Sequence, residues 1–309
     1  MPVAAVTSSV ADQAAAFAAR FRGARPFPHL VIDEFFERGF CKQLQRQFPE
    51  FDPGQARNEL GEIGRKAAYA NVSALGTAYV EFDKLLQSAE FLGLVSKLTG
   101  IPSLLYDAEY VGGGAHLNLN GQDLDQHVDF NFHPRMKAHR RLNLLLYLND
   151  EWQEDWGGCL ELQSNPRGPR ERNEVVRIVP KANRCVIFET SERSWHGFSR
   201  VQMPEKKAKV GRRSLAVYFY TKERPTVEVA PSHGTVYVPP ALPEHFEAGR
   251  TLTPDDVEEL QILLRRRDTQ IEYLYHRELE FSRILHSPTH RLAALLTAPL
   301  RWLRGGGGR

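Results

Sequence analysis

The chain has 309 residues, of which 42% are hydrophobic and 25% are charged, and its net charge is only +2. This composition is typical of a folded globular protein and excludes general disorder, and so small a net charge does not indicate a nucleic-acid partner. The length favours one catalytic domain with additions over two equal domains.

The first hundred residues carry mainly helical periodicity. Apolar residues recur at helical spacing in residues 14–19, 35–48 and 79–98. Between the first two segments, the proline-flanked residues 26–33 favour an extended chain. We therefore assign residues 1–103 to an N-terminal helical region that packs on the rest of the fold.

The pattern changes between residues 104 and 240. Short apolar runs alternate with turn-rich stretches, and the runs are residues 142–148, 175–179, 185–188 and 215–220. Many short strands separated by turns are typical of a β-sandwich or jelly roll. Because no helix-length pattern lies between the strands, a parallel α/β sheet is disfavoured. The sequence thus predicts an α+β protein with a β core over residues 104–240.

A helical extension is predicted for residues 241–309. Residues 253–256 provide an N-cap threonine, a proline in the first turn and two first-turn acids. An apolar stripe follows from Val257 to about residue 284, and the glycine-rich end, residues 305–308, is predicted to be unstructured. This amphipathic extension could pack on the core, pair with a second copy, or lie on an acidic membrane surface.

The segment His127-Val128-Asp129 carries the main chemical signal. On a strand, residues i and i+2 point to the same face, so His127 and Asp129 can offer an imidazole and a carboxylate to one metal ion. His196 is the candidate for a third ligand. Two histidines and one carboxylate leave positions open for a co-substrate and dioxygen, which suits iron(II). The same residue types also fit a catalytic zinc ion.

A second motif helps to separate iron from zinc. Arg212 and Ser214 share one face of a predicted strand, where a guanidinium and a hydroxyl can bind a carboxylate. Zinc hydrolysis requires no such clamp beside the metal. Arg213 is the alternative to Arg212, and either arginine could instead belong to a solvated turn before the strand.

Taken in order, these motifs resemble the prolyl-hydroxylase-like branch of the iron(II)/2-oxoglutarate-dependent dioxygenases. The order is His127-x-Asp129, the segment RLNLLLYLN at 141–149, Gly157-Gly158, His196-Gly197 and Arg212-x-Ser214. The resemblance covers residues 104–222. It implies a double-stranded β-helix, which is a jelly roll, with the metal at its open end.

The resemblance also implies the roles of the site residues. His127, Asp129 and His196 would hold Fe(II) and be the catalytic centre. Arg212 would pair with the distal carboxylate of 2-oxoglutarate, and Ser214 and Tyr147 would assist it.

A hydroxylase is the activity that the resemblance implies. Family members use 2-oxoglutarate and dioxygen, release succinate and carbon dioxide, and hydroxylate an unactivated carbon. Asp129 favours hydroxylation, because halogenating members have a small residue at that place. The predicted substrate is an amino acid, a peptidyl residue or a small metabolite, and its specificity is expected to lie in loops 60–80, 112–125 and 150–158.

Three alternatives to hydroxylation stay open. The same site could carry out an oxidative desaturation or ring closure. The chain could instead be a jelly-roll binding module, or a cupin-type zinc lyase or isomerase.

The three cysteines predict a reducing compartment. Cys41, Cys159 and Cys185 lie far apart and form neither a CxxC pair nor a disulfide framework. The N-terminal residues lack the features of a secretory signal, and no run reaches the roughly 18 apolar residues of a membrane-crossing helix. We therefore expect a cytoplasmic enzyme with no nucleic-acid partner.

Overall fold

The computed structural model describes residues 5–56, 66–208, 210–239, 242–243 and 245–289. The chain divides into two compact units, Met1–Val238 and Pro239–Arg309. Residues 60–65 of the first predicted specificity loop, and the glycine-rich end, lie outside the described residues.

Helices account for most of the described N-terminal segment and for one long element near the C-terminus. In the described residues the α-helices are α1 (Ser8–Asp12), α2 (Ala14–Gly23), α3 (Arg38–Arg46), α4 (Thr77–Gln87), α5 (Ala89–Thr99) and α6 (Pro254–His286). The helical stretch predicted at 79–98 is two helices. Its break is at Ser88, whose side chain accepts a hydrogen bond from the N–H of Phe91 and so caps α5.

The strands in the described residues are β1 (His29–Ile32), β2 (Lys66–Tyr69), β3 (Leu105–Tyr106), β4 (Gly114–Asn118), β5 (Leu124–Val128), β6 (Phe132–His133), β7 (Ala138–Tyr147), β8 (Leu160–Gln163), β9 (Val175–Ile178), β10 (Cys185–Glu189), β11 (Trp195–Phe198), β12 (Arg212–Thr221) and β13 (Val236–Tyr237). Most of these strands have two to five residues, whereas β7 and β12 have ten each and extend beyond the apolar runs that predicted them.

These strands form two antiparallel sheets. The larger sheet follows the order β1-β10-β7-β12-β4-β2, with β3 added to β12 and β6 added to β7. The smaller sheet follows the order β13-β5-β11-β8-β9. Strands β1 and β2 end the path of the larger sheet, so the first 103 residues supply strands to the core as well as helices.

The helices cover one face of the larger sheet. A single hydrophobic cluster joins Phe21 of α2, Phe82 of α4 and Phe91 of α5 to the larger sheet. In that sheet, Leu144 of β7 and Phe219 of β12 belong to the same cluster. Burial of large apolar side chains is the main favourable term in folding, so this layer anchors the helices to the sheet.

The opposite face of the larger sheet packs on the smaller sheet. Side chains alternate between the faces of a strand, so Tyr147 of β7 and Phe188 of β10 point away from the helices. They form a second hydrophobic cluster with Leu160 and Leu162 of β8 and Ile178 of β9. The two sheets therefore lie face to face, with side chains of both between them.

Helix α6 belongs to the second unit and begins with a well-formed cap. Thr253 accepts a hydrogen bond from the N–H of Asp256, and the Asp256 carboxylate accepts one from the N–H of Thr253. This confirms the helix start predicted at residues 253–256. Among the described residues, no helix combines the length and apolar character needed to cross a membrane.

Candidate active site

His127, Asp129 and His196 come together on the smaller sheet. Strands β5 and β11 are antiparallel neighbours that place His127 opposite His196, with ring centroids 4.2 Å apart. Asp129 directly follows β5, and its carboxylate oxygens lie 3.6 Å from Nε2 of His127 and 3.4 Å from Nε2 of His196. One donor atom from each residue lies within 4.8 Å of the others, so the three side chains can bind one metal ion.

Backbone carbonyls orient both imidazoles. Nδ1 of His127 lies 2.8 Å from the carbonyl oxygen of Asp125, and Nδ1 of His196 lies 2.9 Å from that of Ser194. A carbonyl can only accept, so each Nδ1 carries the proton and each Nε2 offers its lone pair. Burial and the neighbouring His127 lower the pKa of His196 to about 4, which keeps this ring neutral at neutral pH. Neutral imidazoles are what a metal ion requires.

Two side chains of β7 that the sequence analysis did not assign to the site hold Asp129 in place. Nη2 of Arg140 lies 3.0 Å from Oδ2 of Asp129, and the side-chain amide of Asn143 donates to the same oxygen at 2.8 Å. Arg140 also donates to Oδ1 of Asn143 through Nε and Nη2. Burial by itself would raise the pKa of Asp129. Arg140 and the two imidazoles lower it by more, so the pKa lies below its usual value and the carboxyl group is ionised.

Arg140 is fixed by aromatic rings as well. Its guanidinium carbon lies 3.5 Å from the ring centroid of Tyr218 and 4.6 Å from that of Phe130. Only 1% of the residue is exposed. A desolvated cation beside two aromatic rings is strongly stabilised. The guanidinium of Arg140 is therefore held in a fixed position facing Asp129.

We predict that Arg140→Met weakens metal binding. The variant loses the donors that hold the Asp129 carboxylate, and the loss of such an outer contact reduces metal affinity about 10–100-fold. Calorimetric titration with Mn(II) measures the effect, and circular dichroism checks the fold. Arg141→Met is the matched control, because the adjacent Arg141 pairs with Glu189 and Glu228 instead. Equal affinities for both variants and the wild type would contradict the prediction.

Arg212 and Tyr147 lie between the sheets, on the inner face of the larger one. Nη2 of Arg212 donates to the Tyr147 hydroxyl at 3.1 Å, and Nε donates to the carbonyl oxygen of Gly158 at 2.7 Å. The guanidinium carbon is 4.3 Å from the ring centroid of Phe198 in β11. Buried Ser214 is directly opposite Tyr147 in the pairing of β12 with β7. Arg212, Ser214 and Tyr147 therefore lie together, as a shared carboxylate site requires.

The glycine pair before β8 supplies a carbonyl oxygen that accepts a hydrogen bond from Arg212. Gly157 and Gly158 have φ angles of 63° and 66°, where residues with a Cβ are strained. A Cβ on Gly157 would lie 2.0 Å from the carbonyl oxygen of Arg200. The turn thus requires glycine, and it directs the Gly158 carbonyl at Arg212.

Arg213 points to the other face of β12. Its Nε donates to the carbonyl of Val210 at 3.3 Å, and its guanidinium carbon lies 5.4 Å from the ring of Phe48. Because successive side chains alternate across a strand, only one of the two arginines can lie between the sheets. The geometry favours Arg212.

Polar groups of β2 and β4 add to the same surface. Asn118 is directly opposite Arg212, and its side-chain N–H group is buried with no hydrogen-bond partner. Half-buried Lys66 is opposite Asn118 in the pairing of β2 with β4, and burial and the charge of Arg212 lower its pKa. A buried unsatisfied donor beside two cations fits an anionic ligand such as a dicarboxylate.

Other clusters of acids and histidines have structural explanations. In the described residues these clusters are Asp107 with Glu109 and His133, and His245 with Asp256 and Glu259. The Asp107 carboxylate accepts the backbone N–H groups of Glu109 and Val111. Nδ1 of His133 accepts the N–H of Met136, and its buried Nε2 makes no hydrogen bond within the described residues. Asp256 caps α6. We assign neither cluster to a metal ion.

Comparison with known proteins identifies the central part of the chain. Residues 113–220 match the family model of the 2OG-Fe(II) oxygenase superfamily. A curated relative, prolyl 3-hydroxylase OGFOD1 of Mus musculus, is 24% identical over 241 residues, which cover 72% of this chain and 38% of that protein. The chain thus spans well under half the length of this relative.

Solved structures match the chain at low sequence identity. A prolyl hydroxylase from Trichoplax adhaerens, in complex with a peptide of hypoxia inducible factor, is 18% identical with a TM-score of 0.47; the match covers 69% of this chain and 91% of that one. HygX from Streptomyces hygroscopicus, with nickel, 2-oxoglutarate and hygromycin B bound, is 14% identical with a TM-score of 0.42; the match covers 67% and 91%.

Proposed function

We propose that this chain, which belongs to the 2OG-Fe(II) oxygenase superfamily through residues 113–220, hydroxylates an unactivated carbon. The superfamily consists of dioxygenases that use Fe(II), 2-oxoglutarate and dioxygen. The observation that carries the proposal is the approach of two imidazoles and one carboxylate to a common point, beside a buried arginine suited to a dicarboxylate.

In this proposal the two sheets supply different parts of the site. The metal ligands are His127, Asp129 and His196, from the smaller sheet. The residues for 2-oxoglutarate are Arg212, Ser214 and Tyr147, from the larger sheet. When both are bound, the metal and 2-oxoglutarate supply the oxidising power that inserts one oxygen atom of dioxygen into a C–H bond.

The side chains of this protein position the reactants. The carbonyls of Asp125 and Ser194 accept from the Nδ1 groups of the imidazoles, so both rings are turned with Nε2 toward the proposed metal position. Arg140 and Asn143 hold the carboxylate of Asp129. Arg212, which is buried, would orient 2-oxoglutarate through its distal carboxylate.

The fold and the chain organisation complete the proposal. We assign the two packed antiparallel sheets to a double-stranded β-helix within residues 104–240, supported by residues 1–103 and extended by residues 241–309.

The substrate is an amino acid, a peptidyl residue or a small metabolite, and similarity to a prolyl 3-hydroxylase supports testing prolyl substrates first. The free, buried cysteines are consistent with a cytoplasmic location. For the extension we favour a second copy over a membrane surface.

Turnover of 2-oxoglutarate tests this function. We expect the protein loaded anaerobically with Fe(II) to form succinate when ¹⁸O₂ is admitted, with one labelled oxygen atom in succinate and one in a hydroxylated prolyl peptide or amino acid. Mass spectrometry follows both products. A product that loses two hydrogens instead of gaining oxygen would indicate desaturation or ring closure. Absence of iron-dependent succinate, or turnover with Zn(II) alone, would refute an oxygenase.

A further inference from the structure

Three polar side chains form a row across the larger sheet. Arg212 of β12 is opposite Asn118 of β4, and Asn118 is opposite Lys66 of β2. The adjacent Leu117 and Ala67 belong to the hydrophobic cluster that joins the helices to this sheet. Because side chains alternate across a strand, Asn118 and Lys66 point to the other face, toward the smaller sheet. The row therefore extends the surface around Arg212 to β2, where the path of the larger sheet ends.

Asn118 and Lys66 are polar groups whose hydrogen-bonding capacity the fold does not use. Only 1% of Asn118 is exposed, and its side-chain N–H group has no hydrogen-bond partner. Lys66 is half-buried, and its ammonium makes no hydrogen bond or ion pair within the described part of the chain. A buried donor without an acceptor and a partly desolvated cation are both unfavourable unless a ligand compensates them. Together they fit an anion.

The position of Lys66 relates this anion to the rest of the site. Burial and the charge of Arg212 lower the pKa of Lys66, whereas the charge of Asp129 raises it. The ammonium therefore lies close enough to interact with both the arginine proposed for 2-oxoglutarate and a proposed metal ligand. An anion bound by Lys66 would lie beside both, which is where the substrate of an oxygenase must bind.

The distal carboxylate of 2-oxoglutarate has enough donors without Asn118 and Lys66. A carboxylate has about four acceptor sites, and an arginine has about five N–H donors. Arg212 uses one donor for the carbonyl of Gly158 and one for Tyr147, which leaves the others available. The hydroxyl groups of Tyr147 and Ser214 can each donate one more hydrogen bond. Asn118 and Lys66 are therefore available for a second anion.

The charges of the site favour a second anion as well. The Asp129 carboxylate already lies 3.0 Å from Nη2 of Arg140. In the proposed complex, the two negative charges of 2-oxoglutarate face Fe(II) and Arg212. The positive charge of Lys66 then has no counter-charge, and a carboxylate from another molecule would neutralise it.

We propose that Lys66 and Asn118 bind a carboxylate group of the substrate, at a position separate from that of 2-oxoglutarate. The ammonium would donate to one carboxylate oxygen and the side-chain amide to the other. The two residues lie in segments 60–80 and 112–125, for which the sequence analysis predicts specificity. This inference rests on the proposed function. It narrows the substrate to an acid, such as a free amino acid, in preference to a residue inside a peptide chain.

Acetate is a minimal probe for this carboxylate site. The protein is loaded with Mn(II) and saturating 2-oxoglutarate, and nuclear magnetic relaxation of the acetate methyl protons is measured, because Mn(II) accelerates the relaxation of protons that bind near it. The wild type should accelerate this relaxation in a saturable manner. Acetamide has the same shape without the charge and should show no such effect.

Variants of Lys66 assign the effect to this residue. Lys66→Met should raise the dissociation constant of acetate at least about tenfold, because the charged partner of the carboxylate is lost. Lys66→Arg keeps the positive charge and should keep acetate binding. Lys84→Met is the matched control, since it makes the same substitution at an exposed position of α4 and should bind acetate like the wild type.

Calorimetric titration with 2-oxoglutarate separates this inference from the proposed function. The affinity of Mn(II)-loaded Lys66→Met for 2-oxoglutarate should stay within about threefold of the wild type. A tenfold loss would assign Lys66 to 2-oxoglutarate and overturn the inference. A wild type that binds 2-oxoglutarate without accelerating the relaxation of acetate, or equal acetate binding in Lys66→Met, would also overturn it. A wild type that binds no 2-oxoglutarate would refute the proposed function, and the inference with it.

Turnover provides a second test of the substrate class. A free amino acid that stimulates succinate formation should have a higher KM with Lys66→Met than with the wild type, and its amide should be a poor substrate of both. An uncharged substrate, such as a prolyl residue inside a peptide, that both proteins hydroxylate equally well would overturn the inference and leave the proposed oxygenase intact.

Discussion

Asp129→Ala is expected to abolish iron(II) binding at working concentrations and, with it, the formation of succinate. The variant removes the only anionic ligand of the proposed set and leaves the buried Arg140 without its partner. Loss of an outer contact alone costs about 10–100-fold in metal affinity, so the loss of a ligand should cost at least about 100-fold. The buried cation left behind also lowers the free energy of unfolding of the metal-free protein.

The measurement is anaerobic addition of Fe(II) and then 2-oxoglutarate. The wild type should show the weak visible charge-transfer band of the chelated complex, and Asp129→Ala should not. Asp129→Asn keeps the size of the side chain and an oxygen that can accept from Arg140, and it removes only the charge. A loss of the band in this variant therefore reports the loss of the charge and not a loss of the fold. Asp150→Ala is the control for surface charge, because Asp150 pairs with Lys42 in solvent. An undiminished band in Asp129→Ala would rule out Asp129 as a ligand.

Arg212→Met is expected to have the second largest effect, with a different signature. The variant should bind Mn(II) like the wild type but bind 2-oxoglutarate about 100-fold more weakly, because a desolvated charge pair is worth several kcal/mol. Methionine preserves much of the volume between Phe198 and Tyr147 and makes no hydrogen bond to a carboxylate. Calorimetric titration of the Mn(II)-loaded protein with 2-oxoglutarate measures the change.

Arg213→Met is the matched control for this experiment. Arg213 is adjacent in sequence, carries the same charge and lies on the opposite face of β12, near Phe48. Its replacement should leave the affinity for 2-oxoglutarate unchanged. If Arg213→Met weakens binding and Arg212→Met does not, the assignment of the two arginines is reversed.

The two variants together separate the parts of the site. Loss of metal binding in Asp129→Ala with retention in Arg212→Met would place the metal and the dicarboxylate on different sheets, as proposed. Loss of metal binding in both would indicate a general collapse of the space between the sheets. Circular dichroism and thermal unfolding of each variant distinguish such a collapse from a local effect.

Much of the secondary structure could be predicted because it depends on local pattern. The apolar run at residues 215–220 lies in β12, the run at 142–148 lies in β7 except for its last residue, and the cap at Thr253 begins α6. The break between α4 and α5 was missed, because the apolar period continues across Ser88. The roles of β1 and β2 were missed as well, because pairing with β10 and β4 is a long-range choice.

The contribution of Arg140 shows why part of the site could not be predicted. A strict period of two would place Arg141, not Arg140, on the face of Asn143. The pairing of β7 with β12 is irregular between Phe219 and Tyr220, so Tyr220 is opposite Arg140. Such an irregularity moves a side chain to the other face of the strand, and the residue types of the strand do not predict where it occurs.

The sequence by itself determined which side chains could do the chemistry: His127 and Asp129 two residues apart, a distant His196, and Arg212 with Ser214. Residue type and strand period settle these because both are local properties of the chain. Only the tertiary structure decided that the proposed metal ligands lie on one sheet and the proposed carboxylate site on the other, with Arg140 and Asn143 connecting β7 to Asp129. That arrangement depends on how two sheets stack and where a strand bulges, which results from the packing of side chains far apart in the sequence.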